Sequence, residues 1–408
     1  MNYIIGIIGL VVFLFLAWVM SSDKKGVRWQ YIGIMLAIQF LLAFLLLKTS
    51  GGIKLVEGLA TGFGYLLGYA EQGVNFVFAG LENPAAGKVP AASTFFMDVL
   101  LPITFISALI GILQYLKILP FIIKYLGWLI SKVNGMGKLE SFNAVAAAIL
   151  GQSEVFISIK KQLPFIPKHR LYTLTASAMS TVSLSIVGAY FTMIEPKYVV
   201  TAILLNLFGG FIIASIINPY VVSAEEENAV IMGTNDEKKQ SFFEMLGEYI
   251  LDGFKVAVIV AAMLIGYIAL IAMLNGIVDA FTPGDVNFQT ILGYVFAPLA
   301  FLTGIAWDDA VRAGSIMATK LVSNEFVAML DVQSIVKGNT GELSERAIGI
   351  VSIFLVSFAN FSSIGIIAGA IKSLNNEQGD VVARFGLKLL YGATLVSFIS
   401  ATIAGFFL

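Results

Sequence analysis

The 408-residue chain has no cysteine, a single histidine, and charge on only 12% of its residues. Without thiols there are no disulfides, thiolate nucleophiles or Cys-ligated metals. One imidazole cannot build a multi-His centre, so no metal site and no cofactor is expected. That histidine, His169, stands in the basic cluster Lys168-His169-Arg170 and reads as a solvated loop residue. Soluble domains carry roughly a quarter charged residues. With 58% hydrophobic residues and a mean hydropathy of +0.89, this chain is instead a polytopic membrane protein. A net charge of −1 leaves no basic footprint for nucleic acid. The apolar N-terminus lacks a small-residue cleavage pattern and precedes the basic stretch SSDKKGVR, so it reads as a retained transmembrane helix rather than a signal peptide.

Apolar runs of about 20 residues are candidates to cross a bilayer. Eight such spans are expected, at about 3–20, 29–47, 94–116, 171–193, 198–217, 248–274, 347–371 and 382–407. Residues 48–93 are shorter-patterned, with Gly, Asn and Pro, and are expected to include an amphipathic interfacial helix. The stretch 119–138, where Lys124 and Lys132 interrupt the apolar residues, and the stretch 288–305 read the same way. The longest polar loop, 218–244, carries Glu225-Glu226-Glu227 and Asp236-Glu237-Lys238-Lys239 and reads as solvated.

Two short polar stretches interrupt apolar sequence: Gly151-Gln152-Ser153-Glu154 and, 171 positions later for the carboxylate, Ser323-Asn324-Glu325-Phe326. A carboxylate at membrane depth costs between roughly 2.5 and over 10 kcal/mol unless it faces protein, water or a ligand. From about 139 to 163 the first stretch lies mid-run, with basic residues on both flanks. A re-entrant hairpin of two half-helices puts both flanks on one face and buries the irregular tip in protein, where it is tolerated. The order interfacial helix, hairpin, Ser-rich span, plain span occurs at about 118–217 and again at 288–407. One extra crossing lies between the copies, so the second inserts from the opposite side. The fold class expected is therefore all-α, about eight transmembrane helices plus two re-entrant hairpins in an inverted repeat, the plan of secondary transporters with the substrate at the repeat interface. The domains expected are a scaffold at 1–116, a first repeat at 117–217, a loop and scaffold helix at 218–287, and a second repeat at 288–408. Placing both termini outside leaves 17 of the 25 Lys and Arg residues on the cytoplasmic side.

Each hairpin precedes a span with a polar centre, Ser180-Thr181-Val182-Ser183-Leu184-Ser185 in one copy and Ser357-Phe358-Ala359-Asn360-Phe361-Ser362-Ser363 in the other. Unwinding there frees carbonyls and exposes half-helix ends for a ligand or cation. Gln152 and Asn324 offer donors and acceptors together. Glu154 and Glu325 accept hydrogen bonds when ionised and can take up a proton. Phe358 can supply an aromatic wall, and Lys320, one turn before Asn324, an ion-pair partner for a carboxylate. These residues describe a polar neutral solute or small ion moved by a cation gradient, without naming the solute. An intramembrane hydrolase with Ser153 as nucleophile and Glu154 as base has no nearby His and no adjacent Lys to activate the serine, so no enzyme is expected. A channel would be marked by conductance without saturation.

GQSE, ATKLVSNEFVAM and SFANFSS together resemble the concentrative nucleoside transporter family, in its bacterial branch typified by proton-coupled pyrimidine nucleoside permeases. MGKLESFNAVAAAILGQSE and FEMLGEYILDGFKVA support the resemblance. It implies an elevator-type homotrimer in the bacterial cytoplasmic membrane, with nucleosides such as uridine, cytidine and adenosine as substrates and membrane lipids as surroundings. It also implies that Gly151, Gln152, Ser153 and Glu154 contact the nucleobase beside Phe358, while Asn324, Glu325, Asn360 and Ser363 hold the ribose. Sodium-coupled relatives carry an Asn four residues before the hairpin Gly; here that position is Ala147, and the nearest upstream Asn is Asn143. Losing that oxygen weakens a sodium site, although Ser183 and Ser185 remain as potential ligands. Proton coupling through Glu154 or Glu325 is therefore expected. The alternatives are a sodium-coupled nucleoside symporter, or an elevator carrier of a nucleobase or small carboxylate.

Overall fold

The computed structural model describes residues 2–78, 95–223, 241–281 and 287–408. The acidic and mixed-charge runs at 225–227 and 236–239, and the segment 79–93, lie outside the described residues. Every element among the described residues is helical. Helices α1 (Asn2–Val19) and α2 (Trp29–Lys48) match the first two expected spans. After Thr49 alone comes α3 (Ser50–Phe78), one continuous 29-residue helix about 43 Å long at 1.5 Å per residue. It is longer than the interfacial piece expected, and buries only Val56 and Ala70. A π-helical turn (Phe96–Leu100) leads into α4 (Pro102–Tyr115), and α5 (Ile118–Ser131) follows the left-handed residue Lys117.

The first repeat continues with α6 (Lys138–Leu150), the single turn α7 (Val155–Ser158), a 3-10 turn at Leu163–Phe165, α8 (Lys168–Ser180), α9 (Leu184–Phe191) and α10 (Pro196–Ile217). Glu140 at the start of α6 is bonded to Arg170 at the start of α8, Asn143 Nδ2 donates to the Leu174 carbonyl, and Leu150 O accepts from Ser183 Oγ. Those two helices therefore run side by side in the same direction, and 151–167 must return to the face it started from. The hairpin is there, but its return arm is not the half-helix expected. Pro164 and Pro167 remove amide donors, and Pro167 holds Ile166 in extended backbone, leaving one α turn and one 3-10 turn.

The single crossing between the repeats, α11 (Phe242–Phe281), is 40 residues and about 60 Å long, well beyond the expected 248–274. The second repeat is α12 (Phe288–Leu302), α13 (Trp307–Val322), α14 (Glu325–Gly338), α15 (Glu345–Leu355), α16 (Phe361–Leu374) and α17 (Asn376–Gly405). Asparagine and serine start most of its helices: Asn287, Asn324, Ser344, Asn360 and Asn375 each accept an amide from the first turn. Helices α12 and α13 are bent by 117° to each other. Arg312 on α13 grips Asp331 on α14 through two bonds (2.9 and 2.6 Å), lacing the arms of the second hairpin together. Asp309 accepts from Ser344 and Lys320 reaches Ser357, so α13 and α15 run in parallel, as α6 and α8 do.

Tertiary bonds sort the loops onto two faces. On one, Ser22 N donates to Ile217 O, Arg28 to Tyr220 O, Asn218 to His169 O and Gln378 to Ile166 O. His169 packs its ring against Tyr220 at 4.7 Å, so it is less solvated than expected. On the other face, Tyr3 stacks on Phe406, Arg346 reaches Gly304 O, and Gln333 reaches Thr192 O. The open end of the first hairpin belongs to the first face and that of the second hairpin to the other. This is the inverted repeat. The span Lys168–Phe191 is 89% buried over its apolar stretch and Phe242–Phe281 only 11%, which puts the broken helix at the centre and α11 at the periphery, packed on α4.

Candidate functional site

Both central spans are interrupted at their midpoints. Between α8 and α9, Thr181–Ser183 is non-helical and Ser183 restarts the helix by accepting the Ser185 amide. Between α15 and α16, residues 356–360 are non-helical and Asn360 restarts the helix by accepting the Ser363 amide at 2.9 Å. The two breaks touch: the Phe358 amide donates to the Thr181 carbonyl at 3.1 Å. The carbonyls freed by the second break are taken up by buried side chains, Lys320 Nζ on Phe354 O (2.7 Å) and Asn206 Nδ2 on Val356 O (2.6 Å). Main-chain groups at membrane depth must be satisfied internally, and these two polar residues do it.

At the second tip, Asn324 caps α14 by accepting the Val327 amide at 3.0 Å. Glu325, 4% exposed, accepts from Tyr190 Oη at Oε1 (2.9 Å) and from Asn360 Nδ2 at Oε2 (3.2 Å). The carboxylate thus joins the second tip to the second break and to the far end of α9. At the first tip, Gly151 has φ +111, a conformation only glycine takes without strain, and a β-carbon there would lie 2.8 Å from Glu154 Oε2. The Ser183 hydroxyl lies 3.2 Å from the Leu150 carbonyl just before this tip and 2.6 Å from the Ser185 hydroxyl. One continuous run of contacts therefore passes from the first tip through both breaks to the second tip.

Gly151, Gln152, Ser183, Ser185, Asn324, Glu325, Asn360 and Ser363 are all buried in this region, with Ser153, Glu154 and Phe358 half-buried. Of the thirteen buried side-chain atoms without a protein partner among the described residues, two belong to expected site residues, Gln152 Oε1 at the first tip and Ser363 Oγ at the second break, and a third, Asn206 Oδ1, lies on the side chain that bonds Val356 O. Buried polar groups are nearly always paired, and the first two lie where the tips and breaks meet, so a polar ligand there would find an open acceptor and an open hydroxyl.

Lys320 departs from expectation. Its ammonium does not pair with a carboxylate; it donates to Phe354 O, Ser357 Oγ (2.6 Å) and Ser397 Oγ (3.1 Å) and lies 4.5 Å from the Phe354 ring centre. It closes the end of α15, from where its charge acts on Glu325 without a direct ion pair. Tyr190 and Asn206, which the sequence reading passes over, each bond a site element across the fold, 135 and 150 residues away in the chain. A cavity of about 690 Å³ lies elsewhere, between α11 and the open end of the second hairpin, lined by Asp308, Arg312, Asp331 and Glu342 among others; none of the expected site residues lines it.

Comparison with known proteins follows the same outline. The chain matches the family described as "Na+ dependent nucleoside transporter C-terminus" over residues 198–405, its N-terminal counterpart over 8–81, and "Nucleoside recognition" over 96–197. It is 36% identical to the purine nucleoside transport protein NupG of Bacillus subtilis, with 100% of both chains covered. It is 31% identical to the nucleoside permease NupC of Helicobacter pylori, covering 98% of this chain and 97% of the relative. Among solved structures it resembles CNTnw in an inward-facing substrate-bound state, at 29% identity and a TM-score of 0.93 over 100% and 98% of the two chains. A variant of the same protein in an outward-facing state gives 0.90 at 28% identity, over 100% and 98%.

Proposed function

The chain belongs to the concentrative nucleoside transporter family, and on that premise we propose that it is a proton-coupled symporter that imports nucleosides across a bacterial cytoplasmic membrane. It is a nucleoside transporter and not an enzyme. In this proposal the hairpins and broken helices travel as an elevator within a fixed scaffold. Gln152, Ser153 and Glu154, behind the turn that Gly151 allows, read the base against Phe358; Asn324, Glu325, Asn360 and Ser363 hold the ribose. The observation that carries it is the unbroken run of contacts between the tips, with the unpartnered acceptor of Gln152 at the first tip and the unpartnered hydroxyl of Ser363 at the second break. An amide that both donates and accepts suits a heterocycle edge, and a carboxylate suits sugar hydroxyls, which are donors.

The surroundings of Ala147 bear on the coupling ion. A hard cation wants several oxygens. Here a methyl group stands where sodium-coupled relatives place an amide, while the Ser183 hydroxyl is engaged with Leu150 O and Ser185. Glu154 or Glu325 then carries the proton. The second reading is sodium coupling, favoured by the description of the family matched over residues 198–405. Uridine uptake into proteoliposomes separates the two: accumulation is expected under an inward proton gradient and not under a sodium gradient alone at matched pH. Robust sodium-driven accumulation overturns the proton reading. Uridine, cytidine and adenosine form the substrate panel, and the role of the Bacillus relative adds weight to purine nucleosides. The exposed apolar length of α11 suits a protomer contact, and we place three copies around it. The face bearing loops 21–28 and 372–381 is assigned to the cytoplasm, with both termini outside.

A further inference from the structure

Tyr190 donates to a carboxylate deep inside the protein. Its side chain is completely buried, and its hydroxyl lies 2.9 Å from Glu325 Oε1. Its ring has no freedom to leave: it packs 5.2 Å from the ring of Phe326, which packs in turn on Phe95. Glu325 is therefore gripped from both repeats, by Tyr190 on α9 of the first and by Asn360 at the break of the second. Asn360 is itself immobilised, its Oδ1 accepting from the Ser363 amide and from the Ser362 hydroxyl. A carboxylate offers about four acceptor positions. Tyr190 and Asn360 take one position on each oxygen and Glu325's own amide is a further donor to the carboxylate, so the acceptor capacity left for sugar hydroxyls has a fixed direction.

We propose that Tyr190 is a positioning residue for nucleoside recognition: its hydroxyl fixes the Glu325 carboxylate in the orientation that accepts a vicinal diol, and so sets the preference for a hydroxylated sugar. Tyr190 itself need not touch the substrate. The inference rests on the reading of Glu325 as the ribose-binding carboxylate.

The test uses the full chain in proteoliposomes, with uridine and 2′,3′-dideoxyuridine as paired substrates, for the parent, Tyr190→Phe, Tyr190→Leu and Glu325→Gln. Removing the hydroxyl is expected to raise KM for uridine about tenfold and to leave KM for the dideoxy analogue within about twofold, with Vmax little changed. The diol preference, taken as the ratio of the two KM values, then collapses. A defect of folding or packing lowers uptake of both substrates together and leaves that ratio alone. Tyr190→Leu is expected to lose the same preference at a lower melting temperature, so the ratio remains readable if one variant is poorly made. A parent-like ratio in both Tyr190 variants overturns the proposal. If Glu325→Gln loses the preference while the Tyr190 variants keep it, the Tyr190 inference alone fails; if Glu325→Gln also keeps it, the ribose reading of Glu325 fails.

Discussion

Arg170→Met probes how the first hairpin is anchored. Arg170 and Glu140 are both fully buried, joined by Nε to Oε1 at 2.6 Å and Nη2 to Oε2 at 2.9 Å, and the Tyr220 hydroxyl adds a third bond to Oε1 at 3.0 Å. The pair ties the start of α6 to the start of α8, the open end of the hairpin whose tip lies in the site. Methionine keeps much of the arginine stem's bulk but strands the carboxylate in a low-dielectric interior with the phenol as its remaining partner. Removing one member of a buried pair costs about 3–5 kcal/mol, a large part of an ordinary total of about 5–15 kcal/mol. At roughly 2 °C per kcal/mol for a chain of this size, melting should fall by about 6–10 °C. Glu140→Met combined with Arg170→Met removes both charges and should regain more than half of that loss, because apolar replacement of a whole pair is close to neutral. Melting of detergent-purified protein followed by tryptophan fluorescence reads both variants. Parent-like melting of Arg170→Met, or a double variant less stable than the single, refutes the reasoning.

Three further outcomes follow from the geometry. Gly151→Ala forces a side chain into φ +111 and against Glu154 Oε2 and Ser183 Cβ, so uptake should drop at least tenfold by the strain argument; uptake within twofold of the parent refutes the tight tip. The chain is naturally free of cysteine, so Thr181→Cys with Phe358→Cys gives a clean pair. A 3.1 Å main-chain bond holds their backbones within about 7 Å, near disulfide reach, and mild oxidation should give an intramolecular cross-link visible by mass spectrometry; its absence argues against touching breaks. Arg312→Gln unlaces the second hairpin at a half-exposed site, where the ion pairs contribute at most about 1 kcal/mol. Its uptake rate should fall while melting stays within about 2 °C, and a large melting shift contradicts this.

How far the sequence carried this picture depends on the range of each interaction. Spans, hairpin tips and breaks were legible because their signals are local: apolar runs of crossing length, a carboxylate beside an amide in apolar sequence, and clustered hydroxyls followed by helix-starting Ser183 and Asn360. The extra length of α11 was hidden because Glu244 makes its first turn look like loop, and Asn275, Gly276 and Asp279 do the same at its end. The return arm of the first hairpin was readable in principle, since Pro164 and Pro167 forbid a regular helix there. Lys320 was misassigned because its partners lie 34, 37 and 77 residues along the chain. Tyr190 gave no signal at all: in GAYFTM it is an aromatic residue in an apolar run, and only folding brings it to Glu325.

The most direct measurement is equilibrium binding of uridine and adenosine to the purified parent, Glu154→Gln, Glu325→Gln and the double variant. If two acidic tips from opposite faces converge on one nucleoside, each single variant should weaken binding at least tenfold, the loss of one charge-assisted hydrogen bond, and the double variant should bind neither ligand measurably. Binding at the parent's Kd with both carboxylates neutralised would contradict the account.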